Sequence, residues 1–154
     1  MYEIVKRVDF SFGHRLVNYD GKCNRPHGHN GVAEVRLAAE ALDEAGMVAD
    51  FGDVGDAVGA WIDDNLDHRM ILRADDPLAP SIAALGETAY LMAQEPTAEN
   101  MARMIYDKVV EMRLPVVSVT LWETSDSRAT YAPRRAGSEA GNGVSGTKSA
   151  AARM

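Results

Sequence analysis

The chain opens on an alternation. Tyr2, Ile4, Val8, Phe10 and Phe12 share one parity between Glu3, Arg7, Asp9 and Ser11, and only Lys6 interrupts the apolar side. Successive side chains of a strand point to opposite faces, so residues 2–12 predict a half-buried strand. Residues 15–26 carry Gly, Asn and Pro and read as a loop. Two periods compete in Val32–Leu42. Its Ala, Glu and Leu favour a helix, whereas Ala33, Val35, Leu37, Ala39 and Ala41 alternate with Glu34, Arg36 and Glu40 as a strand would. We read a strand, because its start then sets His27 and His29 on one face beside His14. Asp43–Gly46 is the turn that follows, and Met47–Ala49 reads as a continuation of the extended path.

From Asp50 the apolar period lengthens. Asp50 suits an N-cap and Asp53 adds negative charge to the first turn. Val54, Val58, Trp61 and Ile62 then recur at helical spacing, which predicts a helix over Phe51–Asn65. Arg73–Pro96, rich in Pro and Ala, reads as a long excursion with one short helical turn near Ser81–Leu85. A connection of that length in a small domain is usually functional or an interface element. Thr97 caps a second helix with Ala98, Met101, Ile105, Val109 and Met112 along one face, and Pro115 ends it. The methionine stripe reads as core. Val116–Thr124 alternates and is β-branched, Ser125–Ser127 makes a turn, and Arg128–Ala132 supplies a last strand. From about Arg134 a Gly/Ala/Ser-rich tail has no apolar period and is expected to be disordered. The reading is one domain over residues 1–133 with a tail over 134–154. The order β-β-α-α-β-β makes it an α+β fold, a four-stranded antiparallel sheet with two helices on one face.

Composition narrows the function. A chain of 154 residues forms one domain with a real core. A formal net charge of −7 and a pI near 5.0 argue against general affinity for nucleic acid or anionic lipid. The single cysteine permits no intrachain disulfide and fits a reducing cytoplasm. No apolar run reaches the ~18 residues of a membrane span, and the N-terminus lacks a signal-peptide apolar core. A soluble cytoplasmic protein is expected, without nucleic-acid or membrane partners.

The chemistry gathers in Phe12-Gly-His-Arg-Leu16 and Gly21-Lys-Cys-Asn-Arg-Pro-His-Gly-His-Asn30, which hold three of the four histidines and the only cysteine. Imidazole is the commonest transition-metal ligand and suits zinc. His27 and His29 stand two apart, so an extended segment turns both to one face. If His14 ends one strand and His27 begins the next, antiparallel pairing brings all three together. Three protein nitrogens leave a fourth position open, which is the catalytic zinc arrangement. A lone His-x-His is more often a turn with surface imidazoles; the upstream His14 at a strand end shifts the balance towards metal. Three roles are open to Cys23: a fourth ligand, a thiolate base or nucleophile, or a small buried hydrophobe.

Six segments resemble one known family: Phe10-Ser-Phe-Gly-His-Arg-Leu16, Cys23-Asn-Arg-Pro-His-Gly-His-Asn30, Gly46-Met-Val-Ala-Asp-Phe51, Leu66-Asp-His-Arg69, Pro96-Thr-Ala-Glu-Asn100 and Glu123-Thr124. In this order, over roughly residues 2–132, they are similar to the 6-pyruvoyl-tetrahydropterin synthase family, which includes 6-carboxy-tetrahydropterin synthase. The resemblance implies a tunnelling fold, in which sheets join edge to edge into a trimeric barrel and two trimers stack into a hexamer. Closing a barrel removes exposed strand edges. It also implies active sites between subunits. On the matching positions, His14, His27 and His29 resemble the zinc ligands, Cys23 the catalytic thiol, Asp67 and His68 its relay partners, and Glu123 the carboxylate that holds the pterin. Each role has a physical sense. A thiolate beside an imidazole moves a proton, Asp67 orients His68, and a carboxylate matches the 2-amino and N3–H donors of a pterin. Without the family, Asp67-His68 reads equally as a helix C-terminus with a favourable histidine, and Glu123 reads more readily as a solvated strand charge.

The three residues between Cys23 and His27 are like the short spacing of bacterial 6-carboxy-tetrahydropterin synthases of queuosine and other deazapurine biosynthesis. The implied reaction turns 7,8-dihydroneopterin triphosphate into 6-carboxy-5,6,7,8-tetrahydropterin, losing acetaldehyde and triphosphate. The alternatives are a 6-pyruvoyl-tetrahydropterin synthase with the same site residues, and a non-catalytic pterin-binding protein on the same scaffold. Lys22, Arg25 and Arg69 are candidates for the triphosphate. Gly31 departs from the pattern where Tyr or Phe is frequent, Met70-Ile-Leu72 replaces a usual Leu-Asn, and the Arg73–Glu95 excursion is longer than typical.

Overall fold

The computed structural model describes residues 1–134, so the expected tail lies, but for Arg134, outside the described residues. Strand β1 (Tyr2–His14) and strand β2 (His27–Ala39) pair antiparallel along their whole length, with Tyr2 opposite Ala39 and His14 opposite His27. The alternating reading of Val32–Leu42 is therefore the one realised up to Ala39, where Ala33, Val35 and Leu37 are fully buried; Glu40–Leu42 leave the strand and are exposed. Helix α1 (Phe51–Asn65) begins as expected, with the Asp50 carboxylate accepting from the Gly52 and Asp53 amides at 2.6 and 3.4 Å. Met47–Ala49 does not extend a strand.

The Arg73–Pro96 excursion contains more structure than its sequence suggested. Strand β3 (Arg69–Arg73) runs into it, helix α2 (Ala79–Ala84) stands where the helical turn was expected, and strand β4 (Tyr90–Met92) leads out. Both strands pair parallel: β3 with Phe12–His14 of β1, and β4 with β3. Helix α3 (Ala98–Glu111) starts at Thr97, whose hydroxyl accepts from the Asn100 amide at 3.3 Å. It stops before Pro115, in a turn where Arg113 takes a φ of 62°. Strands β5 (Val116–Trp122) and β6 (Arg128–Tyr131) complete a six-stranded mixed sheet in the order β4-β3-β1-β2-β5-β6. The class is α+β as expected. The four expected antiparallel strands are present, and the two further strands extend the sheet past the end of β1.

One core joins the sheet to the two long helices. Phe10, Phe12, Val35, Leu37, Val119 and Leu121 pack against Val54, Val58 and Ile62 of α1 and Met101, Ile105 and Val109 of α3. The methionine stripe is core, as its spacing predicted. Lys6 is accommodated on this face because its aliphatic stem lies across Gly55 of α1, where a Cβ would come within 2.7 Å of Lys6 Cε.

Candidate active site

The β1–β2 register decides the site. His14 ends β1 opposite His27, and Phe12 lies opposite His29, so the three imidazoles project to the core side at the end of the hairpin. Their ring centroids are 4.5, 5.1 and 5.2 Å apart, and one ligand nitrogen from each can be chosen with all three within 4.8 Å of one another. The Phe12 ring supports the cluster, edge-on to His14 at 5.4 Å and tilted to His29 at 5.6 Å. Two glycines make room. A Cβ on Gly28 would stand 3.0 Å from the Phe12 carbonyl oxygen. One on Gly31 would stand 2.7 Å from Phe12 Cε1 and 3.1 Å from the Trp122 carbonyl oxygen. The departure at Gly31 is thus matched by Phe12, whose ring fills the space that a side chain there would need.

Backbone carbonyls set the ring tautomers. His14 Nδ1 lies 2.8 Å from the Pro96 carbonyl and His27 Nδ1 lies 2.8 Å from the Arg25 carbonyl. A carbonyl only accepts, so each Nδ1 carries the proton and each Nε2 keeps its lone pair. The Nε2 atoms of His14 and His29 are buried with no hydrogen-bond partner among the described residues. An unmade bond of this kind inside a protein is costly unless something else fills the position. Burial, opposed by the Pro96 carbonyl and aided by the neighbouring imidazoles, lowers the pKa of His14 to about 4. Its ring is therefore neutral at pH 7, the form that binds metal. These three residues can hold a metal ion. Sequence reasoning brought the three histidines together but assigned no role to Pro96, whose carbonyl orients His14 across 82 positions of sequence.

Cys23 sits in a single 3-10 turn (Lys22–Asn24), half-buried. It lines a cavity of about 400 Å³ together with His14, His27, His29 and Glu123. Glu123 Oε1 stands 3.7 Å from His14 Nε2. Neither Lys22 nor Arg25 lines that cavity.

Asp67 and His68 lie elsewhere. They follow α1 at the outer edge of β1, where the Ser11 amide donates to Asp67 Oδ1 at 2.7 Å and the Ser11 carbonyl accepts from the His68 amide at 2.6 Å. His68 Nδ1 is 2.6 Å from Asp67 Oδ2, and the His68 side chain is 81% exposed. The Ser11 amide, followed by the His68 ring, holds the Asp67 carboxyl below the usual carboxylate range, against the opposing effect of its partial burial. His68 shares a second cavity, of about 600 Å³, with His27, His29, Ser11, Asn30 and Arg69. None of the cavities that Asp67 or His68 lines includes Cys23. One chain therefore gathers the three histidines, the thiol and Glu123 on one side, and brings His68 to the other side of His27 and His29, in a cavity that holds neither Cys23 nor Glu123.

Comparisons with known proteins point to one family. The family model described as 6-pyruvoyl tetrahydropterin synthase matches residues 3–134. The 6-carboxy-5,6,7,8-tetrahydropterin synthase of Rickettsia conorii is 37% identical over 131 residues, covering 80% of this chain and 95% of that protein. A probable 6-carboxy-5,6,7,8-tetrahydropterin synthase of Halobacterium salinarum is 40% identical over 123 residues, covering 76% and 77%. Among solved structures, an uncharacterized protein from Wolinella succinogenes superposes with a TM-score of 0.73 at 27% identity, over 86% of this chain and 98% of the other. The 6-pyruvoyl tetrahydropterin synthase of Caenorhabditis elegans superposes with a TM-score of 0.64 at 26% identity, over 86% and 96%.

Proposed function

The chain belongs to the 6-pyruvoyl tetrahydropterin synthase family, and on that premise we propose that it is a zinc-dependent 6-carboxy-5,6,7,8-tetrahydropterin synthase. It would act as a lyase on 7,8-dihydroneopterin triphosphate, giving 6-carboxy-5,6,7,8-tetrahydropterin, acetaldehyde and triphosphate. The observation that carries this reading is the meeting of His14, His27, His29, Cys23 and Glu123 around one cavity. The names of the curated relatives support the carboxy product.

The donor set suits zinc: neutral imidazoles, two of them with buried and unpartnered Nε2 atoms. Held there, the ion supplies Lewis acidity towards a hydroxyl or carbonyl oxygen of the substrate side chain. The chain's own groups do the rest. The Glu123 carboxylate accepts from the 2-amino group and N3–H of the pterin and fixes the ring's orientation. The Cys23 thiolate moves the proton at the side-chain carbon. His68 is the relay for that proton, and Asp67 keeps its Nδ1 protonated, so Nε2 is the working atom.

Cys23 and His68 line different cavities of one chain, so in this reading the exposed His68 serves the thiol of a neighbouring copy. The sheet supports that assembly. Among the described residues only Phe12–His14 has a strand partner along the outer edge of β1, and β6 ends the other side of the sheet. Two free edges suit closure into a trimer, or a hexamer of two trimers.

Mass-spectrometric product analysis tests the function. Zinc-loaded protein incubated with 7,8-dihydroneopterin triphosphate should release acetaldehyde and the 6-carboxypterin. A 6-pyruvoyl product would replace this reading with the sister activity, and pterin binding without turnover would reduce the protein to a binder.

A further inference from the structure

The excursion between α1 and α3 ends in Glu95, and the side chain of Glu95 points back to the loop that carries Cys23. Its carboxylate accepts three hydrogen bonds. The amides of Val17 and Asn18 each donate at 3.1 Å, and Arg73 NH1 donates at 2.7 Å. We propose that Glu95 is the positioning residue of the Cys23 loop: held by Arg73, its carboxylate sets that loop in register with the three-histidine cluster. The proposal rests on the reading of Cys23 as the proton-transfer group.

The loop is ordered within itself. The Leu16 amide donates to the Cys23 carbonyl at 2.8 Å, and Asn24 Nδ2 reaches the carbonyls of Val17 and Tyr19 at 2.9 and 3.2 Å. These bonds fix the loop's shape but not its place over the histidines. Glu95 supplies the place. It grips Val17 and Asn18, next to the Leu16 amide that closes on Cys23. Its neighbour Pro96 meanwhile accepts from His14 Nδ1. One dipeptide thus touches both halves of the site, the loop through a side chain and the metal-ligand ring through a carbonyl.

Exposed ion pairs contribute little, but this one is not of that kind. The side chains of Arg73 and Glu95 are 18% and 22% exposed, and the carboxylate also accepts from two main-chain amides. A second tie from the same excursion holds the loop's root: Arg15 makes a two-point hydrogen bond to Asp76, whose side chain is 0% exposed. The excursion therefore has a use, as a brace on the loop carrying the thiol.

Cys23 is the only cysteine, so its alkylation by iodoacetamide reports the loop directly, without assuming any reaction. In Glu95→Ala the alkylation rate should rise at least about fivefold, as expected when a local closed state is loosened. Proton transfer falls steeply with misplacement, so kcat should drop about tenfold or more while KM moves less than about threefold. Metal content should stay at the wild-type level. Glu95→Gln, which keeps one accepting oxygen, should fall between the two and covers the case in which Glu95→Ala does not fold. Arg73→Met should resemble Glu95→Ala, and the double variant should be little worse than either. Leu85→Ala, in the same excursion on a side chain 77% exposed, should leave the alkylation rate unchanged. An alkylation rate within about twofold of wild type in both folded Glu95 variants overturns the proposal. Raised alkylation in a protein that never turns over the pterin would uphold the brace and sink the proposed function instead.

Discussion

Whether a histidine can hold a metal depends on the nitrogen that faces away from it. His14 and His27 give that nitrogen to the carbonyls of Pro96 and Arg25, which leaves two directed lone pairs beside the Nε2 of His29. His27→Ala and His29→Ala should each lose the metal without global unfolding, seen as metal content falling while the circular dichroism spectrum is kept. Full retention in both would end the assignment. The thiol is separable from the ligands. Cys23→Ser should keep the metal, because three imidazoles already satisfy it, yet lose about a hundredfold or more in turnover. His68→Ala should do the same, and the pair together should cost little more than either alone. Loss of metal in Cys23→Ser would instead make the sulfur a ligand. Of these residues the histidines were the most legible in sequence, because their two-residue spacing is a property of any strand. Pro96 and Glu95 were not, since their partners lie 77 to 82 positions away.

Two elements set how firmly the site is held. Where β2 passes Phe12, Gly31 leaves no room for a methyl group, and one of the obstructing atoms is the backbone oxygen of Trp122. Gly31→Ala should push Phe12 out of place, costing about 1–3 kcal/mol in urea denaturation. The metal should bind more weakly as its support shifts. An unchanged midpoint would show that Phe12 yields freely. In the brace, the Arg15 guanidinium holds the Asp76 carboxyl below the usual range, while burial works the other way. The folded chain thus binds that proton less readily than the unfolded one. The contribution is complete above the unfolded-chain value of about 4 and is lost as the pH falls through the lower folded value. Asp76→Asn should therefore lower Tm at neutral pH and converge on the wild type only in acid, once the pH has fallen below the depressed folded value. Parallel Tm curves across that range would count against this account.

At the scale of the molecule, the proposed function sets the exposed His68 against the thiol of a second copy. Light scattering should find a trimer or hexamer. A stable monomer of about 17 kDa at micromolar concentration would contradict the shared site. Mixing inactive Cys23→Ser with inactive His68→Ala should restore part of the activity if the two residues serve the same site from different chains. No recovery after subunit exchange would place both roles within one chain.

By itself the sequence determined β1 and the two long helices, because each rests on a period of two or 3.6 residues that a local stretch displays; β2 fits both periods, and only the wish to set His27 and His29 beside His14 selected the strand. It also sufficed for the caps at Asp50 and Thr97, which depend on side chains within three residues of the bonds they make. Only the tertiary structure decided the rest. Strands β3 and β4, of five and three residues, are too short to show a period, and they become strands only by finding the end of β1. The separation of His68 from Cys23, and the reach of Glu95 to Val17 and Asn18, are likewise matters of which distant segments the core brings together. A hydrogen bond across 78 positions leaves no pattern in the chain, because neither partner's neighbours must change to make it.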